Sequence, residues 1–259
     1  MVSILILCCF GFLAGFVDAM VGGGGLIQLP ALFILQPHLT LVQTLATNKT
    51  SSFFGTSVSA TQYIRKVKMD WNYLTPSIIS GFIGGYCGAL LVSFVHKEQF
   101  MPVIIMALAV VLLYTIFKKE LGIHTVEKSL SRQQHLTYAI ISGSLVGFYE
   151  GLIGPGTGSF LIFIFIMVFG CNFLYASANA KIINWFASLG ALIMFLVKGA
   201  IVWKVVLPLA AFNMAGNYLG SHLAIRKGSK FIRVFFIAIV LALIAKLSYE
   251  TRNLFLHTQ

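Results

Sequence analysis

The sequence predicts an all-α, polytopic membrane protein made of two homologous repeats of four helical elements each. Three observations predict it. Of the 259 residues, 58% are hydrophobic and only 10% charged, with a mean hydropathy of +0.92. That leaves too little polar surface to cover a soluble domain. Apolar runs recur from end to end, and most charge falls in the short gaps between them, as membrane-spanning helices require. Finally, the chain matches itself at an offset of 132 residues (150 minus 18). Gly15, Gly22 and Gly24 align with Gly147, Gly154 and Gly156, and Lys49, Lys66, Trp71 and Pro76 with Lys181, Lys198, Trp203 and Pro208. Gly84, Tyr86 and Gly88 align with Gly216, Tyr218 and Gly220. A one-residue slip after the glycines, later recovered, is the only gap.

In the first repeat, residues 1–117, the elements run over 3–36, 41–64, 71–95 and 99–117. In the second, residues 134–259, they run over 136–170, 174–197, 201–225 and 231–249. The stretch 118–133, "KKELGIHTVEKSLSRQ", is the substantial polar connection between them. The apolar start has neither a basic leader nor a small-x-small cleavage site, so it reads as a retained first membrane element.

The opening element of each repeat is too long to be one span. A helix over 3–36 would be about 50 Å long at roughly 1.5 Å per residue, against a hydrocarbon core of about 30 Å. The run Gly22, Gly23, Gly24 and Gly25, and its counterpart "GPGTG" at 154–158, must break it. The second piece either continues across, giving parallel repeats, or turns back as a half-helix, giving inverted ones. Loop charge does not separate the two. The short second pieces favour the inverted arrangement.

Of the seven acidic residues, Asp70, Glu98, Glu120, Glu127 and Glu250 fall in loops or at element ends. The other two, Asp18 and Glu150, lie inside elements at equivalent positions, four residues before each break. Lys49 and Lys181, the lysines well inside elements, are equivalent too. Four such charges could simply form two salt bridges that hold the fold. Their neighbours argue for more. Thr47, Asn48, Thr50, Ser51 and Ser52 flank Lys49, and Asn179 and Asn184 flank Lys181. Hydrogen-bonding groups near the midplane suit a hydrated cavity, where intramembrane charge marks a substrate or proton path. A helix restarting after a glycine break presents unpaired N–H groups and partial positive charge, an anion site. Broken backbone is tolerated at that depth only where it lines a cavity or is buried in protein.

Other classes are excluded. The net charge of +11 reflects basic clusters flanking apolar segments, such as Arg65, Lys66 and Lys68, and is no nucleic-acid signal. Cys8, Cys9, Cys87 and Cys171 have no metal-like spacing and read as free thiols, and the six histidines show no metal pattern. Neither a phosphate-binding loop nor a nucleophile–base pairing is visible, so the chain is expected to be no enzyme and to need no cofactor.

At "GFVDAMVGGGGLIQLPAL", "LATNKTSS" and "GFYEGLIGPGTGSF" the chain resembles the TauE/SafE family of sulfite exporters and anion permeases, in its YfcA-like bacterial branch. The resemblance runs over nearly the whole length. It implies a duplicated all-helical permease of the bacterial inner membrane and places family motif positions on Gly22 to Gly25, Thr47, Asn48, Lys49, Gly154 to Gly158 and Lys181. It also implies export of sulfite, sulfoacetate or related sulfur-containing organic anions. Pro155 replaces one glycine of the second run, so the two breaks are not strictly equivalent.

Residues and resemblance together predict a secondary transporter of small sulfur-containing anions, probed by lipid on its surface and open to self-association. Alternating access at a midplane site is expected, with a passive anion channel as the alternative. The expected anion site comprises Lys49, Lys181, Asn48, Thr47, Asn179, Asn184, Gly22, Gly23, Gly24, Gly25, Gly154, Gly156, Thr157 and Gly158. Asp18 and Glu150 are the expected proton-coupling groups, or else counter-ions for the empty site.

Overall fold

A computed structural model describes residues 2–92, 122–126 and 130–257. The element expected over 99–117 and residues 118–121 and 127–129 of the polar connection lie outside the described residues. Eight helices follow in order: α1 (Val2–Val21), α2 (Gly24–Leu35), α3 (Leu41–Lys66), α4 (Trp71–Leu91), α5 (Arg132–Leu152), α6 (Thr157–Met167), α7 (Phe173–Val197) and α8 (Trp203–His257). Helix α8 bends sharply at Gly228, whose φ of 74° and ψ of −168° are not helical.

The polarity of the molecule is reversed relative to a soluble protein. Leu5, Leu13, Ile34, Ile79, Leu145, Leu207 and Val234 are exposed, whereas Gln28, Thr44, Lys49, Thr50, Glu150, Lys181 and Asn217 are buried. An apolar exterior around a polar interior is what lipid selects. Among the described residues, three helices carry segments long and apolar enough to cross a membrane: Ser3–Val21, Leu74–Leu91 and Phe173–Val197. Helix α3 has 26 residues, enough length to span, but much of its buried face is hydroxyl, amide and ammonium.

Both opening elements are broken and fold back on themselves. Helix α2 starts beside Ala14 and Asp18 of α1, and its far end joins Leu7 of α1 in one apolar cluster with Ala31, Leu32, Val205 and Leu209. Helix α6 likewise begins beside Glu150 and packs Phe160 edge-on against Tyr149, and Phe169, just past its end, stacks on His135 near the start of α5. Glycine makes the turns possible. Gly22, Gly154 and Gly156 have φ values of 66°, 89° and 86°, a region costly for other residues.

The long helices pack through glycine seams. Gly84 of α4 sits on the backbone of Ser144 and Phe148 of α5, and Gly216 of α8 sits on that of Phe12 and Phe16 of α1. Each of these residues is offset by 132 from its counterpart (216 minus 84, 144 minus 12, 148 minus 16). Along both seams the paired residues advance together, so α4 runs parallel to α5 and α8 parallel to α1. Helix α7 runs against α1: Ser177 bonds Met20 O, and Lys181, one turn on, bonds Asp18.

Candidate functional site at the two helix breaks

The breaks meet at the centre of the protein. Gly22 lies against Gly158, so closely that a methyl group on either would overlap the other's backbone. Ser159 ties the crossing, its N–H donating to Gly22 O at 3.2 Å and its hydroxyl to Val21 O at 2.9 Å.

How the helices start distinguishes these two points from the rest. Helices α3, α4, α5 and α7 are capped by the side chains of Thr40, Asp70, Ser131 and Asn172. Helices α2 and α6 are preceded by Gly23 and Gly156, with no side-chain cap. Of their first N–H groups, those of Leu26, Thr157 and Ser159 donate to the carbonyls of Gly23, Gly154 and Gly22, which leaves those of Gly24, Gly25 and Gly158 at the break. The partial positive end of each helix dipole faces it.

Each break also has a C-terminal end, on α1 and α5, and a lysine from the opposite half of the sequence closes it. Lys49 of α3 donates to the Glu150 carbonyl and, at 2.7 Å, to Glu150 Oε1. Lys181 of α7 donates to the Asp18 carbonyl at 2.5 Å and to Asp18 Oδ2 at 2.7 Å. An ammonium on last-turn carbonyls complements the negative end of the dipole. Both lysine side chains are almost completely buried, so each carries its counter-ion with it. The pattern extends one residue further: Thr56 Oγ1 donates to Asp18 Oδ2 at 3.2 Å, and Ser188 Oγ to Glu150 Oε1 at 3.0 Å. Thr56 and Ser188 are themselves 132 apart (188 minus 56).

A cavity of about 30 Å³ lies among these groups, lined by Asp18, Gly22 to Gly25, Asn48, Lys49, Ser52, Thr56, Glu150, Gly154, Gly156, Thr157, Gly158, Asn184 and Ser188. It has room for about two waters at 10–15 Å³ each. Asn48 and Asn184 each hold a buried amide oxygen without a partner among the described residues. Turning either amide would place its two donors there instead.

Most of the expected residues therefore line one cavity. Thr47, Asn179 and Lys181 do not: Thr47 and Asn179 are buried in α3 and α7, and Lys181 stands behind Asp18. The hydroxyls flanking Lys49 in sequence do not surround its ammonium either. Thr50 and Ser51 bond to carbonyls of their own helix, because a helix turns its successive residues to different faces. Ser52, named from sequence as a neighbour of Lys49, lines the cavity, and so do Thr56 and Ser188, which the sequence reading did not single out. The offset of 132 that links the charges also links Thr56 with Ser188, and was the signal available.

Residues 7–247 match the family model described as "Sulfite exporter TauE/SafE". The chain belongs to this family. It is similar to "Probable membrane transporter protein YfcA" of Escherichia coli K12, with 34% identity over 98% of this chain and 93% of that protein. It is similar also to "Probable membrane transporter protein ORF9" of a Sinorhizobium species, with 33% identity over 91% of this chain and 88% of the relative. A "Probable membrane transporter protein" of Haemophilus influenzae is 32% identical over 95% of this chain and 94% of its own. The TauE/SafE chain described here is thus a multi-pass membrane transporter of a bacterial permease family, and not an enzyme.

Proposed function

We propose that this TauE/SafE member is a proton-coupled secondary transporter that moves small sulfur-containing anions, sulfite or organosulfonates, by alternating access, exporting them where the outward anion gradient exceeds the inward proton gradient. The observation that carries the reading is the convergence of two uncapped helix N-termini and Lys49 on one polar cavity. Ammonium, amide, hydroxyl and backbone N–H are donors, and together they suit an oxyanion. The anion would lie between the starts of α2 and α6, with Asn48, Asn184 and Thr157 within the same chamber.

Charge balance supports coupling. Two lysines and two carboxylates sum to zero, so an anion entering this buried site would bring an uncompensated charge. Protonation of one carboxylate, Asp18 or Glu150, would release positive charge to meet it. Helix α7 runs against α1 but along α4, Gly81 and Gly85 meeting Ile183 and Ala187, and α4 runs along α5. The opposed directions of α1 and α5 that follow support reading the halves as inverted repeats that rock about the site.

Proteoliposomes carrying sulfite, sulfoacetate or taurine, with and without an imposed proton gradient, test the proposal. Accumulation of sulfite or sulfoacetate against its own gradient when a proton gradient is imposed is the expected result. Flux of the same size with and without the gradient would identify a passive channel instead.

A further inference from the structure

The two ion pairs occupy equivalent positions but differ in how completely the carboxylate is held. The Glu150 side chain is 8% exposed and both its oxygens have hydrogen-bond partners. Oε1 accepts from Lys49 at 2.7 Å and Ser188 at 3.0 Å, and Oε2 lies 2.5 Å from Thr157 Oγ1, whose single proton it shares with Gly154 O, also at 2.5 Å. The Asp18 side chain is 14% exposed and uses one oxygen alone. Oδ2 accepts from Lys181 and Thr56, whereas Oδ1 accepts no hydrogen bond from the described residues. The sequence explains the difference. Thr157 opens α6, and the position 132 residues earlier is Gly25, which has no hydroxyl to give (157 minus 132).

The consequence is mechanical. A proton reaching Glu150 meets a carboxylate with about three of its four acceptor sites in use, and must share Oε2 with Thr157 or turn that hydroxyl toward Gly154 O. A proton arriving through the cavity can bond to Asp18 Oδ1 and leave both contacts at Oδ2 in place. We propose that Asp18 alone carries the proton that accompanies the anion, and that Glu150 is a positioning residue that fixes the α5–α6 break. The inference rests on the transporter reading above and narrows it to one proton per cycle.

In the step itself, Oδ1 takes a proton relayed from bulk solvent through the cavity water, which is left as water, and the carboxylate becomes a neutral acid. Lys181 then lacks its counter-charge, and the site carries one net positive charge that a monoanion neutralises. The proton leaves when the anion does. The titratable and charged groups around Asp18 are Lys181 on α7, Tyr63 on α3, whose hydroxyl donates to Ala19 O at 2.9 Å, and Lys49 and Glu150 across the cavity. Helices α2 and α6 carry no titratable side chain. Helix α8 meets this part of α1 through Asn213, Asn217 and Gly220.

Infrared titration of the purified full-length protein tests the assignment without any substrate. The readout is the high-frequency carbonyl band of a poorly hydrated carboxylic acid, followed from neutral to acid pH. The expected band appears in the wild type, is lost in Asp18→Asn and persists in Glu150→Gln. Should Glu150→Gln fail to fold, the double variant Lys49→Gln/Glu150→Gln removes both charges of that pair and replaces it. A band that survives Asp18→Asn and disappears with Glu150, or no such band in the wild type, overturns the proposal. Proton uptake on adding methanesulfonate, which does not itself titrate in this range, forms the second arm: one proton per bound anion in the wild type and none in Asp18→Asn. Absence of methanesulfonate binding would count against the sulfonate reading alone, since the infrared result stands independently.

Discussion

Lys49→Gln is expected to lose transport and much of its folded yield, while Lys49→Gln/Glu150→Gln regains the fold and still does not transport. Removing one partner of a buried ion pair leaves the other charge uncompensated, which costs about 3–5 kcal/mol. Lys49 also closes the C-terminal end of α5 through the Glu150 carbonyl, so the single variant loses that contact as well. The double variant removes the stranded carboxylate and relieves most of the penalty. It does not restore the ammonium that lines the cavity. Thermal unfolding followed by size-exclusion chromatography, set beside flux in liposomes, separates the two effects. Equal transport by the double variant and the wild type would reduce Lys49 to a structural ion-pair partner.

The second large effect is expected at the crossing of the breaks. Gly22→Ala places a side chain at a φ of 66°, a conformation that disfavours L-residues by roughly 1–2 kcal/mol. Its methyl group would also overlap the backbone of Gly158 and disturb the hydrogen bonds that Ser159 makes to Gly22 and Val21. The expected result is a sharp fall in folded protein and in flux. Gly25→Ala is the control. The nearest atom to its added methyl is Pro155 Cα at 3.7 Å, ordinary contact distance, so this variant should melt close to the wild type. Equal melting temperatures for the two variants would mean that the crossing is not tightly constrained.

Much of this architecture was legible from residue type and spacing. Lipid selects apolar runs of a set length, and an over-long run with four glycines has to break. Asp18, Glu150, Lys49 and Lys181 stood out because a charge inside such a run is costly wherever it lies. Their pairing was less accessible. Side chains on one helix point to different faces, so proximity in sequence suggested that Thr50 and Ser51 attend Lys49, when its partners come from α5.

The offset of 132 also conceals what the halves do not share. Gln28, Asn213, Asn217 and Ser59 form a buried hydrogen-bonded chain, with Asn213 donating to Gln28 at 2.8 Å and Ser59 to Asn217 at 2.8 Å. At the positions matching Asn213 and Asn217 stand Gly81 and Gly85 (213 minus 132, 217 minus 132), which instead let α4 approach α7 at Ile183 and Ala187. One half fills the space with amides and the other closes it with backbone, and no identity marks the relationship. Nor could spacing show that the lysines seal helix C-termini while the uncapped N-termini face the cavity, since that depends on each broken helix turning back.

The central claim is that the starts of α2 and α6, with Lys49 beside them, bind the transported oxyanion. A crystal structure with selenite, the heavier analogue of sulfite, tests it most directly through the anomalous signal of selenium. The account predicts one strong peak between Gly24 and Thr157, within hydrogen-bonding reach of the backbone N–H groups there, with the cavity enlarged to admit it. A peak elsewhere in the protein, with this cavity unchanged, would contradict it.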